Sequence, residues 1–187
     1  MSILHNRRMR STPVARLVAA SATLALLAAC TAEGPKPDPT PPAPCPPSGV
    51  TLRTGDVEAA SGLRAMRVKL VNCGSQPYTA NGYPTLTVLD ADRKPLDIDV
   101  LQGTAQISTI TGFDGPPQPV TLAPGTEASA VVVWRNTVTE ATVPAATGTY
   151  LEMAPATGQP TQTLSPDGGV DLGTTGKIAT SPWVATP

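Results

Sequence analysis

The chain has 187 residues, room for one ordinary domain once targeting and linker segments are set aside. Its formal charge is −1, but Arg7, Arg8, Arg10 and Arg16 crowd the N-terminus; with those four set aside, nine of the thirteen Lys and Arg remain against fourteen Asp and Glu, a net of −5. That balance gives no basic footprint for a phosphate backbone, so nucleic acid is excluded as an expected partner. The one histidine is His5, so a chain trimmed beyond it can build neither a Ser-His-Asp nor a Cys-His pair, nor an imidazole metal site.

Arg7, Arg8 and Arg10 form a positive n-region, and residues 17–29 are an unbroken small and apolar run of signal-peptide length. The run is too short to span a bilayer comfortably. It ends Leu27-Ala28-Ala29-Cys30, which resembles the bacterial lipobox, where cleavage occurs before a cysteine that carries diacylglycerol. The resemblance implies a signal peptide over 1–29, lipidation of Cys30, and attachment through membrane lipid without a transmembrane span. The expected location is the outer face of the cytoplasmic membrane. Arg7-Arg8 leaves both general and twin-arginine export open.

Residues 30–47 read as the lipidated cysteine and a proline-rich tether, with Pro35, Pro37, Pro39, Pro41, Pro42, Pro44, Pro46 and Pro47. Extended as polyproline II, this stretch holds the domain up to roughly 50 Å from the headgroups. With Cys30 assigned to lipid, Cys45 and Cys73 remain, and in an oxidising compartment they most simply form one structural disulfide. Their spacing is not the Cys-x-x-Cys arrangement of redox chemistry.

Residues 48–187 read as a single β domain. Many prolines and glycines, frequent Thr and Val and few aromatics favour strands and turns over helices. From Leu52 the chain breaks into short strands. Residues 63–72 alternate, with Met66, Val68 and Leu70 on one face and Arg67 and Lys69 on the other. Asn72-Cys73-Gly74-Ser75 turns; 85–89 is a second strand, and 90–95 is a polar hairpin connection into 96–101. Residues 112–119 form a loop, 120–122 a short strand, and Pro124-Gly125 a turn. The run Val131-Val132-Val133 inside 128–134 suggests a strand covered on both faces. Strands at 150–154 and 177–184 close the fold. The pattern predicts an immunoglobulin-like antiparallel β-sandwich of seven to eight short strands.

Asn72-x-Gly74, Gly82-Tyr83-Pro84, Leu122-x-Pro124-Gly125-x-x-Ala128, Trp134-Arg135-Asn136 and Ser181-Pro182-Trp183 together resemble a domain of unknown function that recurs in actinobacterial secreted lipoproteins. The resemblance covers about residues 45–183. It implies an antiparallel β-sandwich outside the membrane with no established activity. Many members of that family place a cysteine near the position of Tyr78, where this chain has Cys73 instead.

The side chains that could meet a ligand or partner are Phe113, Tyr83 and Trp134, each weighed against a packing role. Asn81-Gly82 is a turn signal, so Tyr83 also reads as a core tyrosine after a turn. Trp134 and Trp183 could stack on sugars or pack the core. Phe113, the sole phenylalanine, plugs the sandwich or offers an apolar contact. Asp90, Asp92, Asp97 and Asp99 have carboxylates but lack the EF-hand pattern, since Lys94 and Pro95 stand at its fifth and sixth positions. Met66 and Met153 lack the further ligands of a copper site. No metal site, cofactor or catalytic motif is expected. The leading functional expectation is a non-enzymatic envelope module that binds a protein or glycan through loops at one end of the sandwich. The alternatives are a two-carboxylate glycan hydrolase drawing on Asp56, Glu58, Asp97, Asp99 and Glu127, and a passive structural surface protein.

Overall fold

The frame of the fold is one long hairpin. In a computed structural model that describes residues 44–186, β1 (Val50–Ala60) pairs antiparallel with β2 (Leu63–Asn72). The expected signal peptide over 1–29, the expected lipidation site Cys30 and the expected tether up to residue 43 lie outside the described residues. On β2 the expected alternation holds: Met66, Val68 and Leu70 are fully buried, while Arg67 is exposed. Strand β7 (Glu127–Arg135) lies on the other side of β2 and is buried over 128–134.

Next to β7 runs β12 (Lys177–Thr180), and beyond it β5 (Asp99–Gln102) closes the sheet. The pairing of β5 with β12 is parallel. The expectation that 96–101 returns as a hairpin against β4 (Thr85–Leu89) is therefore corrected. The 90–95 turn does form, with the Lys94 amide donating to Asp90 Oδ1 at 2.8 Å and the Asp90 amide donating to the Lys94 carbonyl. Pairing with β4 then stops after the Leu89–Pro95 bridge and the Leu96 amide bond to Val88. Pro95 has no N–H to extend the ladder, and the chain crosses to the other sheet.

The facing layer is built from β4, β9 (Tyr150–Ala154) and β10 (Gln162–Leu164), with β9 in the middle. Two separate two-stranded sheets accompany it: β3 (Tyr78–Ala80) with β6 (Val120–Leu122), and β8 (Ala146–Gly148) with β11 (Val170–Gly173). The main core lies between the layers and joins Leu52, Met66, Val68, Leu70, Val132 and Trp134 to Val88, Leu151, Met153, Leu164 and Leu172. The result is an all-β sandwich. It has thirteen strands, where seven or eight were expected, because pieces of two to four residues too short to show alternation make up much of the second layer.

The expected strand over 177–184 is split into β12 and β13 (Val184–Ala185), both pairing with β7. Pro182 lacks the donor a continuous ladder needs. Ser181 repairs the gap: its Oγ accepts the Val131 amide at 2.8 Å, and its own amide donates to the Val131 carbonyl at 2.9 Å. Gln162 does similar work at the edge of β1, where Oε1 accepts the Leu52 amide at 2.9 Å and Nε2 donates to the Val50 carbonyl at 3.2 Å.

At the end of the sandwich where the described chain begins, Cys45 and Cys73 are disulfide-bonded with Cα atoms 5.6 Å apart. Asn72 sits behind the bridge, 1 % exposed. Its Nδ2 donates to the Gln76 and Leu122 carbonyls and its Oδ1 accepts the Gly74 amide. Its backbone bonds to Thr126 and Gly125. Asn72 thus ties the turn after β2 to the turn before β7. Replacing Cys45 and Cys73 together by Ala should lower the unfolding free energy by about 3 kcal/mol in urea denaturation, and reducing the wild-type protein should give the same loss.

Candidate functional site

The outer face of the large sheet is not open to solvent in the middle. Val131, Val133 and Ala179 form a second apolar cluster there with Phe113, backed by Ala65, Ile107 and Ile110. Segment 103–119 lies over this cluster. Phe113 is 7 % exposed, and the Arg67 guanidinium stacks on its ring, 4.9 Å from the centroid. Phe113 therefore plugs the side of the sheet rather than an end of the sandwich, and its ring is covered.

Beside this plug a groove of about 300 Å³ opens between β1, β2 and the loop, lined by Asp56, Glu58, Ala65, Arg67, Ile110 and Phe113. An apolar recess at Glu58, Ala60, Leu63 and Ile110 continues it. A β-bulge aims the acids. The β1–β2 register shifts between Thr54 and Val57, so that Val57 pairs with Met66 and Glu58 with Ala65. Strict alternation from Thr54 would have pointed Val57 outward and Glu58 into the core. The inserted residue returns Val57 to the core, where it packs, and places Glu58 on the outer face. Both Asp56 and Glu58 are exposed.

The other residues singled out from sequence have structural surroundings. Trp134 is fully buried, and its Nε1 donates to Asp171 Oδ1 at 2.9 Å. Asp171 Oδ2 accepts from Arg64 Nε and Nη2 and from Asn136 Nδ2. Trp134 and Asn136, two apart on one face of the chain, are thus anchored by one carboxylate from β11. Tyr83 is half-buried. Trp183 is 1 % exposed, and its Nε1 donates to the Pro155 carbonyl. Met66 and Met153 are in the core.

Asp90, Asp92, Asp97 and Asp99 do not converge, and among the described residues no group of three or more His, Cys, Asp or Glu is placed to hold a metal ion. Of the five carboxylates weighed for hydrolysis, Asp56, Glu58, Asp97 and Asp99 are exposed, and Glu127 is paired with Lys69 at 2.7 Å. None forms the buried pair that two-carboxylate hydrolysis requires. A cavity of about 420 Å³ lies at the disulfide between residues 45–49 and 72–78 and has no charged side chain in its lining.

The family described as "Domain of unknown function (DUF4232)" matches residues 45–184. The chain belongs to this family. The match runs from the first cysteine of the disulfide to the last strand, so the whole sandwich is the family's domain. No curated protein and no solved structure matches the chain. The groove was not legible as a unit: Asp56 and Glu58 stood out as acids and Phe113 as an isolated aromatic, but nothing local to either signals that they meet.

Burial raises the Asp171 carboxyl, but hydrogen bonds from Trp134 and Arg64, together with the Arg64 charge, outweigh it and hold the pKa below the ordinary carboxylate value. A lowered native pKa stabilises the fold fully above the unfolded value of about 3.9, and this contribution is lost as pH falls through the native value. Asp171→Asn should therefore cost about 1 kcal/mol at neutral pH, a modest figure for a side chain 34 % exposed. The variant should also flatten the loss of stability below about pH 4, which unfolding curves across pH 2–7 would check.

Proposed function

We propose that this chain is a lipid-anchored, non-enzymatic binding module of the cell envelope, whose ligand lies in the groove beside β1. The lipobox-like Leu27-Ala28-Ala29-Cys30 and the proline-rich 31–47 supply the anchor and the spacer. The domain is held on the outer face of the cytoplasmic membrane, in the manner of an actinobacterial secreted lipoprotein.

The observation that carries the reading is the groove at Asp56, Glu58, Arg67, Ile110 and Phe113. There an apolar floor meets charged groups that are not consumed by the core. Exposed carboxylates beside apolar surface accept hydrogen bonds from hydroxyls or amines, which suits a glycan or an extended peptide of an envelope partner. This moves the expected binding surface from the loops at one end of the sandwich to the side of the sheet. Both acids being exposed favours recognition over two-carboxylate hydrolysis, where one carboxyl must be kept protonated by burial.

The test is binding of the full chain to purified cell wall and to secreted protein from its host, with Asp56→Lys plus Glu58→Lys as the groove variant. The wild-type chain should bind one fraction saturably and the variant at least tenfold more weakly, about 1.4 kcal/mol. Cys30→Ser should abolish incorporation of labelled fatty acid into the chain without altering that binding. Equal binding by the groove variant would refute the groove as the site.

A further inference from the structure

Segment 103–119 divides the outer face into two unlike recesses. On the side away from the acidic groove, a cavity of about 90 Å³ is lined by Gln106, Ile107, Arg135, Thr175 and Lys177. Ile178 pairs with Trp134 in the β12–β7 ladder, so one step further the antiparallel register sets Lys177 opposite Arg135. Each lies two positions along its strand from a residue of the outer cluster, Arg135 from Val133 and Lys177 from Ala179, so both face the same side. Like charges directly opposite in a sheet are destabilising.

Among the described residues neither of these two cations has a carboxylate within ion-pair distance. Of the eight Lys and Arg there, Arg64, Lys69 and Lys94 have carboxylate partners, and Arg67 and Arg93 stack on Phe113 and Tyr150. That leaves Arg53, Arg135 and Lys177, and two of the three share this one notch. Asp99 neighbours Lys177 in the β5 register, yet no ion pair joins them within the described residues and Asp99 does not line the cavity. Arg135 is steadied by donation from Nη2 to the Ile107 carbonyl at 3.3 Å. The Thr175 hydroxyl is already committed to the Leu172 carbonyl, so it shapes the wall rather than supplying a donor.

We propose that this notch binds a phosphate group, with the Arg135 guanidinium and the Lys177 ammonium converging on one compact oxyanion and the Gln106 amide at its rim. Arginine supplies a fork of donors and lysine a mobile point charge, a pairing that suits a tetrahedral anion. The source is a soluble or polymer-borne phosphodiester rather than a lipid headgroup. β7 runs from Glu127, beside the disulfide end, to Arg135, roughly 27 Å away along the strand, so the notch opens at the end of the sandwich remote from where the chain comes in.

The experiment places the full chain, isotope-labelled, in nanodiscs of zwitterionic lipid and titrates it with inorganic phosphate and with a soluble glycerol-phosphodiester polymer. The expected result is saturable shifts at Gln106, Arg135 and Lys177, tighter for the polymer. Binding should weaken at least tenfold in Arg135→Gln/Lys177→Gln and be unchanged in Arg53→Gln, a lone exposed cation on the same sheet. The three side chains are exposed, so the variants keep their fold and the native spectrum serves as the control. The same shifts in nanodiscs of anionic phospholipid, without added phosphate, would overturn the assignment of source. Absence of saturable shifts, or equal binding by the double variant, would overturn the site.

Discussion

Everything in this molecule leans on a strand that must be dry on both faces. β7 presents Ala128, Ala130, Val132 and Trp134 to the main core and Val131 and Val133 to the outer cluster. A strand inside a two-layer sandwich needs cover from the second layer on one face only; here the other face is equally apolar and must also be covered. The second layer does the first job, and segment 103–119 with Phe113 does the second. The groove and the notch are the two margins that this covering loop leaves, so the candidate sites are consequences of how β7 is buried.

The second feature of the architecture is that single polar side chains complete ladders the backbone leaves unfinished. Ser181 accepts the Val131 amide beside a proline, Gln162 caps two groups of the β1 edge, Asn72 ties two turns together, and Asp171 gathers Trp134, Arg64 and Asn136. In a dry interior each such bond counts more for the group it leaves satisfied than for its own net energy. Several residues in the motifs first noticed in the sequence have these duties. Asn72, Trp134, Asn136 and Ser181 build the scaffold.

Sequence reading reached the elements with strong periodicity. β2, β4, β6 and β9 lie where alternating or blocked apolar residues placed them, and the double burial of Val131 to Val133 followed from their continuous run. It missed β3, β8, β10 and β11, whose three or four residues are too few to display a period. It also misplaced the partner of β5, because the local turn at 90–95 is genuine while the partner strand lies some eighty residues further on. The bulge that turns Glu58 outward and the meeting of Phe113 with β7 are likewise tertiary facts. Gly55 inside the strand is the one local sign of a bulge, and it does not say which neighbour returns to the core; Phe113 could be recognised only as an apolar residue in a polar loop.

The family match gives the domain a relationship and leaves its chemistry to be read from these surfaces. An acidic groove and a cationic notch flanking one loop give the outer face two distinct chemistries. The most direct test of the account is equilibrium unfolding of Phe113→Ala. If the ring is the plug that keeps Val131 and Val133 dry, the variant should lose about 3 kcal/mol; a loss below about 0.5 kcal/mol, the level of an ordinary surface substitution, would contradict it.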